Sequence, residues 1–216
     1  MQKLKFFTVG FFVQVLIALI MFAVGAFLYN QLPDMIPSHW GINGEIDSYL
    51  PKLTGIILFP AITLVLAFLF PLISSIDPRK EKYVLFKRPW LVLQISIVLF
   101  FAYMYFITLY MAFYPATLIV PFIFGGIGVL FILMGNYLGK IRQNYFVGIK
   151  TPWTIDNEEV WNKTNRLGGW MFLIAGLVIF AEAFIQWHYL IIFIITVVLA
   201  SIVPIIYSYI IFKKKK

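Results

Sequence analysis

The sequence predicts an all-α integral membrane protein with six transmembrane helices and both termini in the cytoplasm. Three observations support this class: the composition, six long apolar stretches, and basic residues confined to alternate connecting segments. The 216 residues are 62% hydrophobic and only 12% charged, whereas a typical soluble domain is about 45–50% apolar and about 25% charged. This composition argues against a soluble enzyme, a disordered protein and a nucleic-acid-binding domain.

Six apolar stretches are long enough to cross a bilayer, which takes about 20 mostly apolar residues in a helix. They cover approximately residues 6–29, 54–76, 89–112, 117–138, 170–186 and 189–212. Because lipid offers the backbone no hydrogen-bond partner, each stretch is predicted to be helical. The fourth contains Gly135 and Gly139, a spacing that favours close packing against another helix.

The orientation follows from the distribution of Lys and Arg. Sixteen of the 17 basic residues fall in alternate segments, and only Lys52 falls in a segment between them. The positive-inside rule then places both termini and the second and fourth connecting segments in the cytoplasm. The net charge of +8 is interpreted as a topology signal attracted to anionic headgroups, and no direct contact with nucleic acid is expected. The predicted location is the plasma membrane, with multiple passes.

Two regions are expected. Residues 1–88 form an N-terminal helix pair with an outer Pro/Gly-rich loop, residues 30–53, and a basic cytoplasmic loop. Residues 89–216 form a four-helix region with a longer cytoplasmic loop, residues 139–169. The chain has no cysteine, which excludes disulfides, thiolate metal sites and thiol nucleophiles.

The outer loop contains acidic residues and one histidine on the side of the protein that carries a single basic residue. Its prolines forbid a continuous helix, and Gly41 and Gly44 permit tight turns. Three interpretations stay open: a turn network in which Asp34 and Asp47 accept backbone hydrogen bonds, a divalent-cation site, or a recognition surface for a cationic or amphipathic ligand. The candidate ligand-binding residues are Asp34, His39, Trp40, Glu45, Asp47 and Lys52. None of their spacings matches a strong metal motif, so no metal ligands are assigned.

The long cytoplasmic loop contains a predicted amphipathic helix. Asp156 followed by Glu159 three positions later is a capping-box arrangement, and the helix is expected to lie on the inner membrane surface until Gly168 and Gly169. One interpretation makes it a re-entry helix that only positions the fifth span. The other makes it a docking surface for a cytoplasmic partner or for the chain's own basic loop.

Two long motifs resemble a known family. Residues 144–154, NYFVGIKTPWT, followed by EVWNKTNR at residues 159–166, resemble the signature of the SdpI family of bacterial membrane proteins. Residues 32–49, LPDMIPSHWGINGEIDSY, together with Lys52, resemble a module often found at the N-terminal side of that family. One departure is Asn165, where the family usually has His, so no proton-dependent role is expected at this position.

The resemblance implies immunity and signalling. A family member of this kind protects a cell from a secreted, membrane-active peptide toxin and holds a transcriptional repressor at the membrane. The outer loop would then meet the toxin, and the cytoplasmic loops would meet the repressor. The inner partner-binding residues implied by the signature are Asn144, Lys150, Trp153, Glu159, Trp161 and Arg166.

Glu182 is the one acidic residue inside a predicted span, and such residues are functional candidates because burying their charge in lipid is costly. It supports an alternative function, a small cation or proton transporter, although a carboxyl reaching outer water or a Tyr hydroxyl is equally consistent with the sequence. A purely structural membrane subunit is a third possibility.

Without a metalloprotease, nucleophile-elbow or P-loop motif, no catalytic residue, cofactor or enzymatic activity is predicted.

Overall fold

The computed structural model describes residues 8–215, and this part of the chain contains all six predicted spans as long apolar helices. The long helices are α1 Val9–Leu28, α2 Lys52–Ile76, α3 Lys87–Phe113, α4 Val120–Leu138, α6 Glu158–Ile185 and α7 Tyr189–Lys213, and a short helix, α5, covers Pro152–Asp156. The all-α transmembrane class is therefore confirmed. The start of the first span, Lys3, Lys5 and Lys216 lie outside the described residues.

The connecting segments gather at two ends of the helix bundle. One end holds residues 29–51, 114–119 and 186–188 and is called the hairpin end. The other holds residues 77–86 and 139–157, together with the end of α7, and is called the basic end. Every described basic residue except Lys52 lies at the basic end or in the helix turns that adjoin it.

The outer Pro/Gly-rich segment is a β-hairpin, which the sequence did not predict. Strand β1, Met35–Trp40, pairs antiparallel with strand β2, Ile46–Pro51. Pro37 is tolerated because each strand of a two-stranded sheet is an edge strand, where a missing N–H breaks no interior ladder. Of the two turn glycines, only Gly44 has a positive φ, 79°. The fold class thus gains one small sheet.

The predicted surface helix is wrong in two respects. Residues 158–185 form one uninterrupted helix, α6, so Gly168 and Gly169 do not end an amphipathic segment before the fifth span. Its N-cap is Asn157, whose side chain accepts hydrogen bonds from Glu159 N and Val160 N. Asp156 instead closes the short helix α5, whose own cap is Thr151. Gly169 faces the backbone of α4 and Gly168 lies against the side chain of Ile149 in the loop, and at both positions the absence of a side chain permits packing that outweighs the low helix propensity of glycine.

Helices α4 and α6 pack along glycines on both helices. A Cβ added to Gly135 would lie 2.5 Å from the backbone N of Leu173, and one added to Gly128 would lie 2.7 Å from the backbone N of Phe180. On the α6 side, a Cβ at Gly176 would lie 2.6 Å from the backbone N of Ile132. The close packing predicted from Gly135 and Gly139 is therefore present, and it extends along much of both helices.

Candidate functional site

The hairpin lies across the helix ends and is held there at both strands and at its tip. Ile36 is fully buried and fills the space over Gly55, where an added Cβ would meet its side chain at 3.0 Å. At the tip, the hydroxyl of Tyr189 donates a hydrogen bond of 2.7 Å to the carbonyl oxygen of Ile42. The hairpin is thus tied to α2 and to the start of α7.

A crevice of about 310 Å³ lies at the hairpin end, between strand β1 and helices α2, α3 and α4. His39 and Trp40 form part of its wall, and the rest is mostly apolar. Its lining residues are Pro37, Ser38, His39, Trp40, Leu50, Gly55, Leu58, Phe59, Met104, Thr108 and Ile123. An apolar side chain presented from the hairpin side would find a matching surface here, which makes this crevice the candidate ligand site.

The charged side chains of the hairpin pair with one another. His39 Nδ1 lies 2.6 Å from Asp47 Oδ1, and Lys52 Nζ lies 3.2 Å from Asp34 Oδ1 while it also lies over the ring of Tyr29. Within residues 8–215 neither carboxylate accepts a hydrogen bond from a backbone N–H, so these pairs stand in place of the turn network that was one of the three interpretations. Within the same residues, no three His, Asp or Glu side chains gather around a point that could hold a metal ion.

At the basic end, Asn144 organises the first half of the loop. Its Nδ2 donates to the carbonyl oxygens of Arg142 and Val147, at 2.8 and 2.9 Å. Its Oδ1 accepts from the backbone N–H groups of Phe146 and Val147, at 2.9 and 2.7 Å. Since the side chain is fully buried, Asn144 shapes the loop and does not reach its surface.

Trp161 and Asn165 anchor the same loop to α6. The indole Nε1 of Trp161 donates to the carbonyl oxygen of Ile141 at 2.8 Å, and Asn165 Oδ1 accepts from the backbone N–H of Ile149 at 2.8 Å. Between them the chain passes through Gly148 at φ 116°, where an added Cβ would lie 2.8 Å from Asn165 Oδ1. Both side chains are fully buried. Trp161, like Asn144, cannot touch a partner directly in this conformation.

The other inner candidates are accessible. Lys150, Glu159 and Arg166 are exposed, and Trp153 is half-buried with its ring against that of Tyr209 on α7, 5.0 Å between centroids. Glu159 forms ion pairs with Lys163 and with Lys215 near the end of the chain. These four residues, unlike Asn144 and Trp161, are accessible at the surface of the basic end.

Sequence reasoning missed Asp77, which is 1% exposed. Its carboxylate accepts hydrogen bonds from Arg79 N, Tyr83 Oη and Tyr145 N, at 2.7, 3.1 and 3.0 Å. The sequence did contain an indication of its role, because Asp77 is an acidic residue that directly follows a predicted span and precedes Pro78 in a segment otherwise rich in Lys and Arg. That indication does not identify Tyr145, 68 residues later, as its partner.

Glu182 is buried in the last turn of α6, with 6% of its surface exposed. Its Oε2 has no hydrogen-bond partner within the described chain. Its neighbours on the helix, Ile179 and Ala183, pack into an apolar cluster with Val120 and Phe124 of α4. The expectation that this carboxyl reaches a tyrosine hydroxyl is therefore not met at Oε2.

Comparison with known proteins agrees with a multi-pass membrane protein that has the two structured ends described above. Residues 140–208 match the model of the SdpI/YfhL protein family, and residues 16–64 match a second model, a domain of unknown function called DUF1648. The first match contains the folded loop and α6, and the second contains the whole hairpin. No solved structure matches the chain.

The chain is thus a multi-pass integral protein of the plasma membrane, with a hairpin at one end of its bundle and a folded basic loop at the other. One region of it, residues 140–208, matches the SdpI/YfhL family model, and the resemblance inferred from its motifs is confirmed. Among characterised proteins it is similar to the Immunity protein SdpI of Bacillus subtilis (strain 168). The two are 28% identical over 204 residues, which cover 94% of this chain and 95% of that protein.

Proposed function

We propose that this chain is a membrane immunity and signalling protein. In this proposal it recognises a secreted, membrane-active peptide at the hairpin end and binds a transcriptional repressor at the basic end. The observation that carries the proposal is the similarity to the Immunity protein SdpI, which extends over 94% of the chain and therefore includes both ends of the bundle. The role is one of binding, and it requires no catalytic group or cofactor.

The orientation that the proposal needs has the hairpin outside and the basic end inside the cell. Sixteen of the 17 basic residues lie on the side assigned to the cytoplasm, a bias that the positive-inside rule associates with the cytoplasmic face. The opposite face carries Asp34, Glu45 and Asp47 against the single cation Lys52. An acidic outer face attracts cationic peptides before they reach the lipid.

Recognition of the peptide is assigned to the crevice beside the hairpin. Trp40 and His39 border an apolar cleft of about 310 Å³, and Asp47 and Glu45 are exposed close by on the same hairpin. An amphipathic peptide presents apolar side chains on one face and cations on the other. The apolar side chains would enter the crevice while the cations face the hairpin acids.

Partner binding at the basic end is assigned to the exposed side chains of Lys150, Glu159 and Arg166, with Trp153 at the edge. Asn144 and Trp161 contribute by positioning the loop, because both are fully buried. For signalling, binding of the peptide in the crevice would have to change the conformation of this surface, and that change would be transmitted through the helices. Helix α4 borders the crevice at Ile123 and packs closely against α6, which carries Glu159 and Arg166, so this pair is the proposed connection.

The experiment is a survival assay in a toxin-sensitive bacterium that expresses the chain in its membrane. We expect the wild-type chain to raise survival and Trp40→Ala to reduce the protection at equal expression. Tyr49→Ala is the matched control, because Tyr49 is an exposed aromatic residue of the same hairpin that does not line the crevice. Unchanged killing of cells with confirmed membrane expression would refute the immunity proposal.

One observation favours a second candidate function, a small cation or proton transporter. Glu182 is buried with one carboxylate oxygen unpaired, and an unsatisfied acid inside a membrane helix is a typical feature of ion and proton pathways. Glu182→Gln in reconstituted vesicles separates the two candidates. Loss of proton-coupled flux with protection intact would favour transport, and the absence of flux in the wild-type chain would exclude it.

A further inference from the structure

A second crevice, of about 330 Å³, lies at the basic end and has no part in the function proposed above. It is formed where the start of α1, the end of α2 and the start of α3 meet. Its lining residues are Thr8, Val9, Gly10, Phe11, Gln14, Pro71, Ser74, Tyr83, Lys87, Arg88, Trp90, Leu91 and Gln94. The volume is within the range of small-molecule sites, which begins at about 300 Å³.

Two buried amides line this crevice. Gln14 is 0% exposed and Gln94 is 7% exposed, and Gln14 Nε2 donates a hydrogen bond of 3.1 Å to Gln94 Oε1. The remaining acceptor of the pair, Gln14 Oε1, has no hydrogen-bond partner within residues 8–215. A buried acceptor without a donor is unfavourable, so a ligand that brings a hydroxyl or another N–H or O–H donor would satisfy it.

The remaining polar groups of the lining indicate the charge of that ligand. Lys87 and Arg88 are exposed, and neither forms an ion pair within residues 8–215. Lys82, Lys163 and Lys215, in contrast, are paired with Glu158 or Glu159. No Asp or Glu lines the crevice. Among the described residues, the site therefore has two cations without an ion-pair partner, no carboxylate that would pair with an ammonium, and a free acceptor.

The position of the crevice selects an amphiphile over a soluble ion. Gln14 is six residues beyond Thr8 in α1, which at about 1.5 Å per residue places it about 9 Å along the helix. Gln94 follows Lys87 by a similar distance in α3. Between these amides and the cations the walls are apolar, formed by Phe11, Trp90 and Leu91, and Leu91 and Val9 reach the lipid-facing surface.

We propose that this crevice binds an anionic phospholipid whose headgroup carries hydroxyl groups. The phosphate would lie against Lys87 and Arg88, a headgroup hydroxyl would donate to Gln14 Oε1, and the acyl chains would follow the apolar wall beside Leu91. The carbonyl of Gln14 then distinguishes a hydroxylated headgroup from a bare phosphate. The cations distinguish an anionic lipid from a zwitterionic one.

Native mass spectrometry of the detergent-purified full chain tests this site. The probes are phosphatidylglycerol, phosphatidylethanolamine, phosphatidic acid and free glycerol phosphate, each titrated separately. We expect the wild-type chain to prefer phosphatidylglycerol over each of the other three. In Lys87→Gln/Arg88→Gln, both at exposed positions, binding should weaken at least about five-fold, because each cation near an anionic membrane surface contributes on that scale.

The matched control is Lys80→Gln/Lys214→Gln, which removes the same charge from exposed positions at the same end outside the crevice. It should leave the preference unchanged. Gln14→Leu should remove the advantage of phosphatidylglycerol over phosphatidic acid while binding to anionic lipid persists. Equal binding of phosphatidylglycerol and phosphatidylethanolamine by the wild-type chain would overturn the proposal. So would tight binding of free glycerol phosphate, or an equal loss in the control variant, which would mean that surface charge alone attracts the lipid.

Discussion

The carboxylate of Asp77 accepts a hydrogen bond of 3.0 Å from the backbone N–H of Tyr145, which joins the end of α2 to the loop that follows α4. The guanidinium of Arg79 strengthens the same junction, because it lies over the ring of Tyr145 and donates to the carbonyl oxygen of Ile155 at 3.2 Å. Asp77 lies outside both family-model matches, between residues 16–64 and 140–208. The junction therefore joins the segment between the two matched regions to the region that matches the SdpI/YfhL family model.

Replacing Asp77 is expected to destabilise the protein strongly. In Asp77→Ala, the N–H groups of Arg79 and Tyr145 and the hydroxyl of Tyr83 lose a buried charged acceptor, which should lower the free energy of unfolding by about 3 kcal/mol or more. Thermal unfolding of the detergent-purified chain measures the loss. The control is Ser75→Ala, at an exposed position in the same helix end. Equal melting temperatures for the two variants would contradict the assigned role.

The α4–α6 contact provides a second prediction. Gly135→Ala places a methyl group 2.5 Å from the backbone N of Leu173, so the helices must separate, at a cost of about 1–3 kcal/mol typical of overpacking. Gly125→Ala, in the same helix, meets its nearest atom at 3.9 Å and should be neutral or stabilising because Ala favours a helix. Unfolding in detergent compares the two directly. If Gly125→Ala destabilises as much as Gly135→Ala, helix contact is not the cause.

Variants of Trp161 and Arg166 should distinguish a residue that positions the loop from one that binds the partner. Trp161→Phe keeps an aromatic ring but loses the hydrogen bond to Ile141, which should lower stability by about 1–2 kcal/mol. Arg166→Gln, at an exposed position, should leave the melting temperature unchanged and reduce recruitment of the repressor to membranes, measured by co-sedimentation. A normal level of recruitment in Arg166→Gln would remove this residue from the proposed docking surface.

The tip of the hairpin is expected to loosen in Tyr189→Phe. The variant keeps the ring that packs edge-on against Phe124 but loses the hydrogen bond to Ile42, which contributes about 1 kcal/mol. Hydrogen exchange of residues 41–46 should therefore accelerate several-fold, while exchange in α2 stays unchanged. Tyr114→Phe is the control, since Tyr114 is an exposed tyrosine at the same end of the bundle. Unchanged exchange at the tip would show that packing alone holds the hairpin.

The spans were predictable because the requirement they meet is local. A bilayer-crossing helix satisfies its own backbone and needs only a long enough apolar run, so five of the six long helices begin and end within a few residues of the predicted bounds. The exception is α6, which begins at Glu158 and not at residue 170. The first turns of α6 contain charged residues, so a hydropathy criterion does not count them as part of a span. These turns nevertheless belong to the same continuous helix.

The site was predictable only in part. The outer Pro/Gly-rich loop and the long cytoplasmic loop were identified from their composition. The β-hairpin was missed because its strands contain Pro37 and Pro51 and show only weak alternation of apolar and polar residues. Asn144 and Trp161 were selected as surface residues, since their motif shows that they matter but does not show which way they face. Asp77 was missed because one of its partners, Tyr145, lies in a different segment of the chain.

The sequence by itself determined the solvent of this protein, the number of its helices and the side on which its cations gather, because each of these depends on the composition of continuous segments. Only the tertiary structure decided which polar residues are buried connectors, such as Asp77 and Asn144, and which are free to bind, such as Arg166 and Lys87. The physical reason is that a buried polar group must find its partner in space. Asp77 finds Tyr145, 68 residues away, and Gln14 finds Gln94, 80 residues away, separations over which no pattern in the chain predicts a contact.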